Sequence, residues 1–270
     1  MPEGPEIRRA ADRLALAVVG KPLVDVFFAP PALKKFERQL AGQRIDAITS
    51  RGKALLTRFD NGWTLYSHNQ LYGVWQIVDA GERPDNSRSL RVALETEDTS
   101  ILLYSASDIA MWRTDDLWRH AYLSRLGPDV LDPAVTAGDV AARFPDPRFA
   151  RRSLAALLLD QGFLAGMGNY LRSEVLFQSE LRPERRPFDL DPDERGRLAS
   201  ALLEVPRRSY RSRGIRKTTG MKADYVTSTA AGFRMEAFGR AGEPCPRCGG
   251  MIVRRESGGR RLYLCESCQR

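Results

Sequence analysis

Four cysteines, all within the last 26 residues, constrain this chain more than any other feature: Cys245-x2-Cys248-x16-Cys265-x2-Cys268. Two CxxC knuckles at this separation place four thiolates where one tetrahedral Zn²⁺ can take them all. Between the knuckles lie two apolar runs, Met251-Ile252-Val253 and Leu262-Tyr263-Leu264, separated by Ser257-Gly258-Gly259. That pattern predicts a β-hairpin stapled at its open end, carrying Arg254, Arg255, Arg260 and Arg261. A hairpin this short buries no core of its own, so the metal supplies its folding energy. Two disulfides or a redox pair are the alternatives. No basic leader followed by an apolar stretch opens the chain, so a reducing, intracellular compartment is expected, and zinc is preferred there. Four protein ligands leave no open position, which makes the metal structural rather than catalytic.

Length allows roughly two domains besides this finger. No run of about 18 apolar residues occurs, so no membrane partner is expected. Charge is unevenly placed. From Pro206 onward there are 15 Lys/Arg against 5 Asp/Glu, a net +10, while the first 205 residues carry 27 against 29, or −2. Basic residues gathered at one end, next to a metal hairpin, suggest a polyanion, most simply nucleic acid.

Ile7, Ala10, Ala11, Leu14, Ala17 and Val18 fall on one face of a helix over 6–19, with Pro5 in its first turn and Gly20 after its end. From Val24 to about Arg113 the pattern becomes short alternating runs at 24–28, 44–50, 54–59, 63–68, 73–79, 89–96 and 99–106. Phe59-Asp-Asn-Gly-Trp63 marks a tight hairpin, and seven or eight such strands with one helix predict a β-sandwich. Beyond Arg113 the periodicity is helical, over 115–124, 137–144, 149–161, 168–180 and 191–213. The last opens with Asp191-Pro-Asp-Glu194, a cap followed by proline, and Pro206 is expected to kink or end it. The aperiodic stretch 212–232 reads as a mobile loop. The fold class is therefore α+β multidomain: a β-sandwich domain with an N-terminal helix (1–124), a linker (125–135), a helix-two-turns-helix domain with the loop (136–232) and a zinc β-hairpin finger (233–270).

Four motifs carry chemistry. Removal of Met1 would expose Pro2 as a secondary amine, partly neutral near pH 8, and such an amine can form an iminium with an aldehyde-type carbon. Glu3 beside it sits just before a helix, where a carboxylate is stabilised as the anion and can serve either as an acid/base partner to the amine or simply as a capping residue. Arg51-Gly52-Lys53 lies at a strand junction where a lysine can approach phosphate or sugar. Gly162-Phe-Leu-Ala-Gly166-Met-Gly168-Asn169 separates two helical segments. No strand precedes it, so it is not a dinucleotide fingerprint; two glycine turns instead expose amides at a helix start, an anion site suited to one phosphate, or else make a plain helix–helix connection. His68 and His120, the two histidines, read as structural.

Pro2-Glu-Gly-Pro-Glu6, Arg51-Gly-Lys53, Asp160-Gln-Gly-Phe-Leu-Ala-Gly-Met-Gly-Asn169-Tyr and the four-cysteine finger occur together in this order. The combination resembles the formamidopyrimidine-DNA glycosylase and endonuclease VIII family of base-excision repair enzymes, across essentially the whole chain. The opening motif and Tyr66-Ser-His-Asn-Gln-Leu-Tyr-Gly73 are most similar to its bacterial endonuclease VIII branch. The resemblance implies a DNA N-glycosylase and abasic-site lyase acting on oxidised pyrimidines, with the oxidised-purine branch, or a non-catalytic zinc nucleic-acid-binding protein, as alternatives. By the same resemblance Pro2 attacks C1′, Glu3 shuttles the proton that opens the sugar, Lys53 assists β-elimination and Arg260 assists δ-elimination. Gln70, Arg125 and Asn169 match DNA-contacting positions, and Gln70, Leu71 and Tyr72 fill the space left by the flipped nucleotide. The implied partner is double-stranded DNA containing damaged bases or abasic sites, bound by a monomer in the bacterial cytoplasm, at the nucleoid while acting. The loop 213–233 does not follow the family pattern.

Overall fold

The computed structural model describes residues 2–212, 214–216 and 226–270. The described residues divide into two compact units: 6–124 with Pro2, and those from 125 onward with Glu3–Pro5.

In the first unit, α1 (Gly4–Val18) buries Ile7, Ala11, Leu14 and Val18 along one stripe and ends before Gly20, whose φ of +80° suits a residue without Cβ. Eight strands follow: β1 (Asp25–Phe28), β2 (Ile45–Arg51), β3 (Ala54–Phe59), β4 (Trp63–His68), β5 (Val74–Asp79), β6 (Leu90–Glu95), β7 (Thr99–Tyr104) and β8 (Asp108–Arg113). They form two four-stranded antiparallel sheets, ordered β1-β6-β7-β5 and β2-β3-β4-β8. Phe28, Leu94, Ile101 and Leu103 of one sheet and Ile48, Leu55, Phe59 and Leu65 of the other share a core with the α1 stripe, so the unit is the expected sandwich. Each such fully buried side chain stabilises the fold by roughly 1.5–3 kcal/mol. The β3–β4 turn has Gly62 at φ +78°. A short helix, α2 (Glu37–Leu40), lies between β1 and β2 in a stretch for which no element was expected. The expected helix over 115–124 is instead two 3₁₀ turns, Thr114–Arg119 and Leu123–Arg125. His120 interrupts them: its backbone is extended and its Nδ1 accepts the amides of Tyr122 (3.2 Å) and Leu123 (3.4 Å).

The second unit contains α3 (Ala137–Ala141), α4 (Leu154–Leu157), α5 (Asn169–Ser179) and α6 (Pro192–Arg211). Of the helix expected over 149–161 only α4 forms, because the amides of Leu154 and Ala155 donate to the carbonyls of Arg185 and Pro183 (both 2.8 Å). The capping box at Asp191 and Glu194 is present. Pro206 does not end α6, which runs on to Arg211 with Pro206 buried in it; the buried face of Leu198, Leu202 and Val205 outweighs the missing hydrogen bond. The stretch 125–135 is woven into the helical unit: Gly127 N–H donates to Gln161 O (2.9 Å), Ala165 N–H to Pro128 O (2.9 Å) and Val130 N–H to Ala165 O (3.1 Å). Strands β9 (Ile215–Arg216) and β10 (Val226–Thr227) pair in parallel. The loop expected over 212–232 falls partly on 213 and 217–225, outside the described residues. The finger is the hairpin β11 (Ile252–Ser257) and β12 (Arg260–Cys265), with Gly258 and Gly259 at φ +59° and +70° between them, as a two-residue turn of mirror-image type requires.

Candidate functional site

Glu3 is 3% exposed, and its carboxylate is spoken for. Oε1 accepts the amide of Tyr170 at 2.8 Å and Oε2 that of Leu171 at 3.2 Å, the second and third residues of α5. Gly168 stands at the N-cap of α5 and makes no side-chain cap, so Glu3 takes that place from 167 residues away. A Cβ on Gly168 would lie 2.5 Å from Glu3 Oε1 and 2.6 Å from its Cγ; only glycine leaves room. Gly4 N–H donates to Gly166 O (2.9 Å), and Gly166 takes φ +95°. Gln161 stitches the loop, accepting from Gly166 N–H (3.1 Å) and donating to Met167 O (2.9 Å). Asp160 pairs with Arg152 and accepts the Gly162 amide at 2.7 Å. The helix amides that the glycine-rich turn was expected to offer to a phosphate are taken instead by the Glu3 carboxylate.

Asn169 opens α5. Its Oδ1 accepts from Arg172 (2.7 Å), and its Nδ2 donates to Arg261 O in the finger (2.8 Å). Arg172 is 1% exposed, also donates to Ala155 O (3.0 Å) and Arg261 O (3.2 Å), and leaves Nε without a partner. Burial, with Arg260 nearby, pushes its pKa down to about 10; Glu3 opposes the shift. Glu3, Asn169 and Arg260 therefore share one electrostatic neighbourhood inside the second unit. Glu174, three residues further along α5 than Leu171, is buried and accepts the amides of Glu236, Ala237 and Phe238 (2.8, 2.9 and 2.7 Å). Burial pushes its carboxyl up against the pull of those bonds. Arg172 and Glu174 were not singled out by the sequence; Gly168 was read as part of the glycine-rich motif but not as the place that makes room for Glu3.

In the first unit Pro2 is buried. Lys53 is 8% exposed and follows Gly52, whose φ of +59° makes the Gly-Lys turn between β2 and β3. The Lys53 amide donates to the Tyr122 hydroxyl at 3.3 Å, and its ammonium acts on His68. Tyr66, Tyr122, Trp112 and His120 form an aromatic wall beside it, with Tyr66 and His120 centroids 4.0 Å apart. Leu71 and Tyr72 are 47% and 66% exposed on the turn after β4, where Gln70 sits at φ +48°. Arg125 is exposed at the end of its 3₁₀ turn, its carbonyl beside Gly162.

All four cysteines are free thiols with Sγ atoms within 4.8 Å of one another, which excludes the disulfide alternative in this structure. Cys245–Cys268 and Cys248–Cys265 are 3.8 and 3.5 Å apart. Four sulfurs each about 2.3 Å from a tetrahedral zinc are about 3.8 Å from one another, so the cage fits the ion.

Comparison places this architecture in a known class. Residues 1–107 match the formamidopyrimidine-DNA glycosylase N-terminal domain, 126–219 its H2TH domain and 242–270 the zinc finger found in FPG and IleRS. The chain belongs to the formamidopyrimidine-DNA glycosylase and endonuclease 8 family. It is 54% identical to an Endonuclease 8 of Shigella flexneri over 269 residues and 53% identical to one of Salmonella schwarzengrund over 270, each covering 100% of both chains. The fold is shared with Lactococcus lactis Fpg (MutM) solved with DNA containing N7-benzyl-Fapy-dG (TM-score 0.85, 19% identity, 100% of both chains). It is shared too with the same organism's Fpg bound to DNA containing an abasic site (TM-score 0.84, 20%, 99% of both). The cysteine cage and the finger match together define one structural zinc. Among the described residues no helix is long and apolar enough to cross a membrane.

Proposed function

We propose that this protein is a bifunctional DNA glycosylase and abasic-site lyase of base-excision repair, taking oxidised pyrimidines from duplex DNA. The observation that carries the reading is the Glu3 carboxylate, buried and fixed by two amides at the start of α5, one residue from a proline that can present a secondary amine. An enzyme needing a proton relay beside an N-terminal nucleophile gains from both: a helix N-terminus stabilises the carboxylate, and the carboxylate can take the proton of the attacking amine and pass it to the sugar. The names of relatives at 53–54% identity support the pyrimidine branch.

With Met1 removed, the Pro2 nitrogen attacks C1′ of the flipped nucleotide and the N-glycosidic pair leaves with the base. The departing base takes a proton from water. The Glu3 carboxylate accepts the N–H proton of the now-cationic Pro2 nitrogen and passes it to O4′. The C1′–O4′ bond breaks as the ring opens, and the nitrogen and C1′ share a double bond as an iminium. That cation makes the C2′ proton acidic; its removal expels the 3′ phosphate, and Lys53 stabilises the leaving oxygen. A second elimination expels the 5′ phosphate, held by Arg260. Gln70, Leu71 and Tyr72 fill the vacated stack, while Asn169 and Arg125 hold backbone phosphates. A monomer acting on cytoplasmic, nucleoid DNA suffices for this clamp.

Borohydride trapping on duplexes containing thymine glycol, 8-oxoguanine or a preformed abasic site tests the reading. A trapped adduct and faster release of thymine glycol are expected. No adduct would leave a zinc nucleic-acid-binding protein, and preference for 8-oxoguanine would move the chain to the purine branch.

A further inference from the structure

β4 ends at His68, and the half-buried ring faces back onto its own chain: Nδ1 accepts the backbone N–H of Gln70 at 3.0 Å. Gln70 needs that support, because φ +48° is a left-handed conformation that a residue with a Cβ adopts only when held. The turn is closed by Gly73 N–H on Asn69 O at 2.7 Å, where a Cβ on Gly73 would meet Asn69 O at the same distance. The Gln70 side chain is tied in turn, its Oε1 accepting the Ser107 hydroxyl at 2.9 Å. Leu71 and Tyr72 are thus presented on a turn whose left-handed residue gives its backbone N–H to an imidazole lone pair.

That lone pair exists only while the ring is neutral and carries its hydrogen on Nε2. Burial lowers the pKa of His68 below its usual 6.5; the Asp108 carboxylate, directly across on β8, pulls it up, and the Lys53 ammonium pushes it down. Tyr122 meets the ring edge-on at 5.4 Å, Tyr66 bonds Asp108 through its hydroxyl (3.2 Å), and Arg88 donates to Tyr72 O (3.4 Å) on the far side of the turn. Two of the charged neighbours therefore act in opposite senses, and burial decides.

We propose that His68 is a positioning residue for the Gln70–Leu71–Tyr72 turn, holding it in its inserting conformation through Nδ1 and releasing it when the imidazole takes a proton. The proposal rests on the reading of that turn as the wedge that fills the stack. A proton on Nδ1 would face the Gln70 N–H donor to donor, and the left-handed residue would lose the bond that offsets its strain. Eversion of a stacked damaged base should then slow, while a site that has already lost its base makes less demand on the wedge.

The test compares wild type, His68→Asn and His68→Ala in single turnovers between about pH 5 and pH 8, on a thymine glycol duplex and on a preformed abasic duplex. Asparagine offers an oxygen near the Nδ1 position and does not titrate. Wild type should lose base release below pH 6.5 more steeply than abasic-site cleavage. His68→Asn should keep near-normal base release at neutral pH and lose that acid limb. His68→Ala should slow base release about tenfold, the worth of one hydrogen bond, and leave abasic cleavage nearly intact. An acid limb that persists in His68→Asn, or equal losses on both substrates in His68→Ala, would overturn the proposal and place His68 at the sugar-phosphate instead. A Leu71→Ala/Tyr72→Ala variant with wild-type base release would remove the wedge reading and the proposal with it; failure confined to the His68 variants removes the proposal alone. Should His68→Ala not fold, the pH profile of His68→Asn decides.

Discussion

Gly168→Ala adds one carbon to the space that Glu3 occupies. The backbone at Gly168, φ −147° and ψ −158°, is extended and open to any residue, so the substitution carries no conformational strain of its own. Its whole effect falls on Glu3, whose Oε1 and Cγ would be 2.5 and 2.6 Å from the new carbon. The carboxylate must withdraw and give up the amides of Tyr170 and Leu171. A hydrogen bond to a charged group contributes about 1.5–3 kcal/mol. Losing two, with water partly replacing them, should destabilise the helical unit by roughly 2–4 kcal/mol, or about 5–15 °C at 2–4 °C per kcal/mol. Withdrawal also removes the proposed acid, and general acid–base assistance is typically worth about 10²–10⁴ in rate. Single-turnover release of thymine glycol should fall by about that factor, with less loss on a preformed abasic site, where the base has already gone. Scanning calorimetry and gel-resolved single turnovers measure the two effects. Unchanged melting together with base release within about twofold of wild type would refute the seating of Glu3 on α5.

Glu3→Gln should abolish base release from oxidised pyrimidines while allowing residual nicking of abasic DNA, seen as product on a denaturing gel. Mass spectrometry of the borohydride-trapped complex should place the adduct on the peptide beginning at Pro2; an adduct on Lys53 would make the lysine the nucleophile. Freshly purified protein should contain one zinc per chain by elemental analysis, and Cys265→Ser should unravel the finger and weaken DNA binding while the sandwich melts normally. Arg260→Ala should lower δ-elimination product more than β-elimination product and reduce the salt slope of duplex affinity by about one; equal loss of both products with an unchanged slope would deny Arg260 both roles.

Legibility from sequence followed the reach of the interactions. The cysteine knuckles, the capping box at Asp191 and the stripe of α1 are written in residues a few positions apart, and the structure forms each of them. Spacing carried no sign that the acid at position 3 caps a helix at 170, because that contact is made by folding alone. Arg172 illustrates a second failure. A charged residue on a helix ordinarily faces water, yet this one is enclosed, its terminal nitrogens bonded to Asn169 and two carbonyls. His68 is a third: its isolation in the sequence argued for a structural part, and only the left-handed Gln70 beside it shows what its ring supports. Pro206 and the broken helix over 149–161 show local propensity yielding to packing and to backbone partners more than twenty residues away.

The seat of Glu3 also sets a timetable. Its partners are made 167 and 168 residues after it. At about 5–20 residues per second, a ribosome reaches them roughly ten to thirty seconds later. Throughout that interval the emerging polypeptide has its first residues but no helix start to hold its acid. A nascent or prematurely ended chain therefore cannot ready Glu3 for the role proposed for it; its seat arrives only when α5 has been translated and has folded.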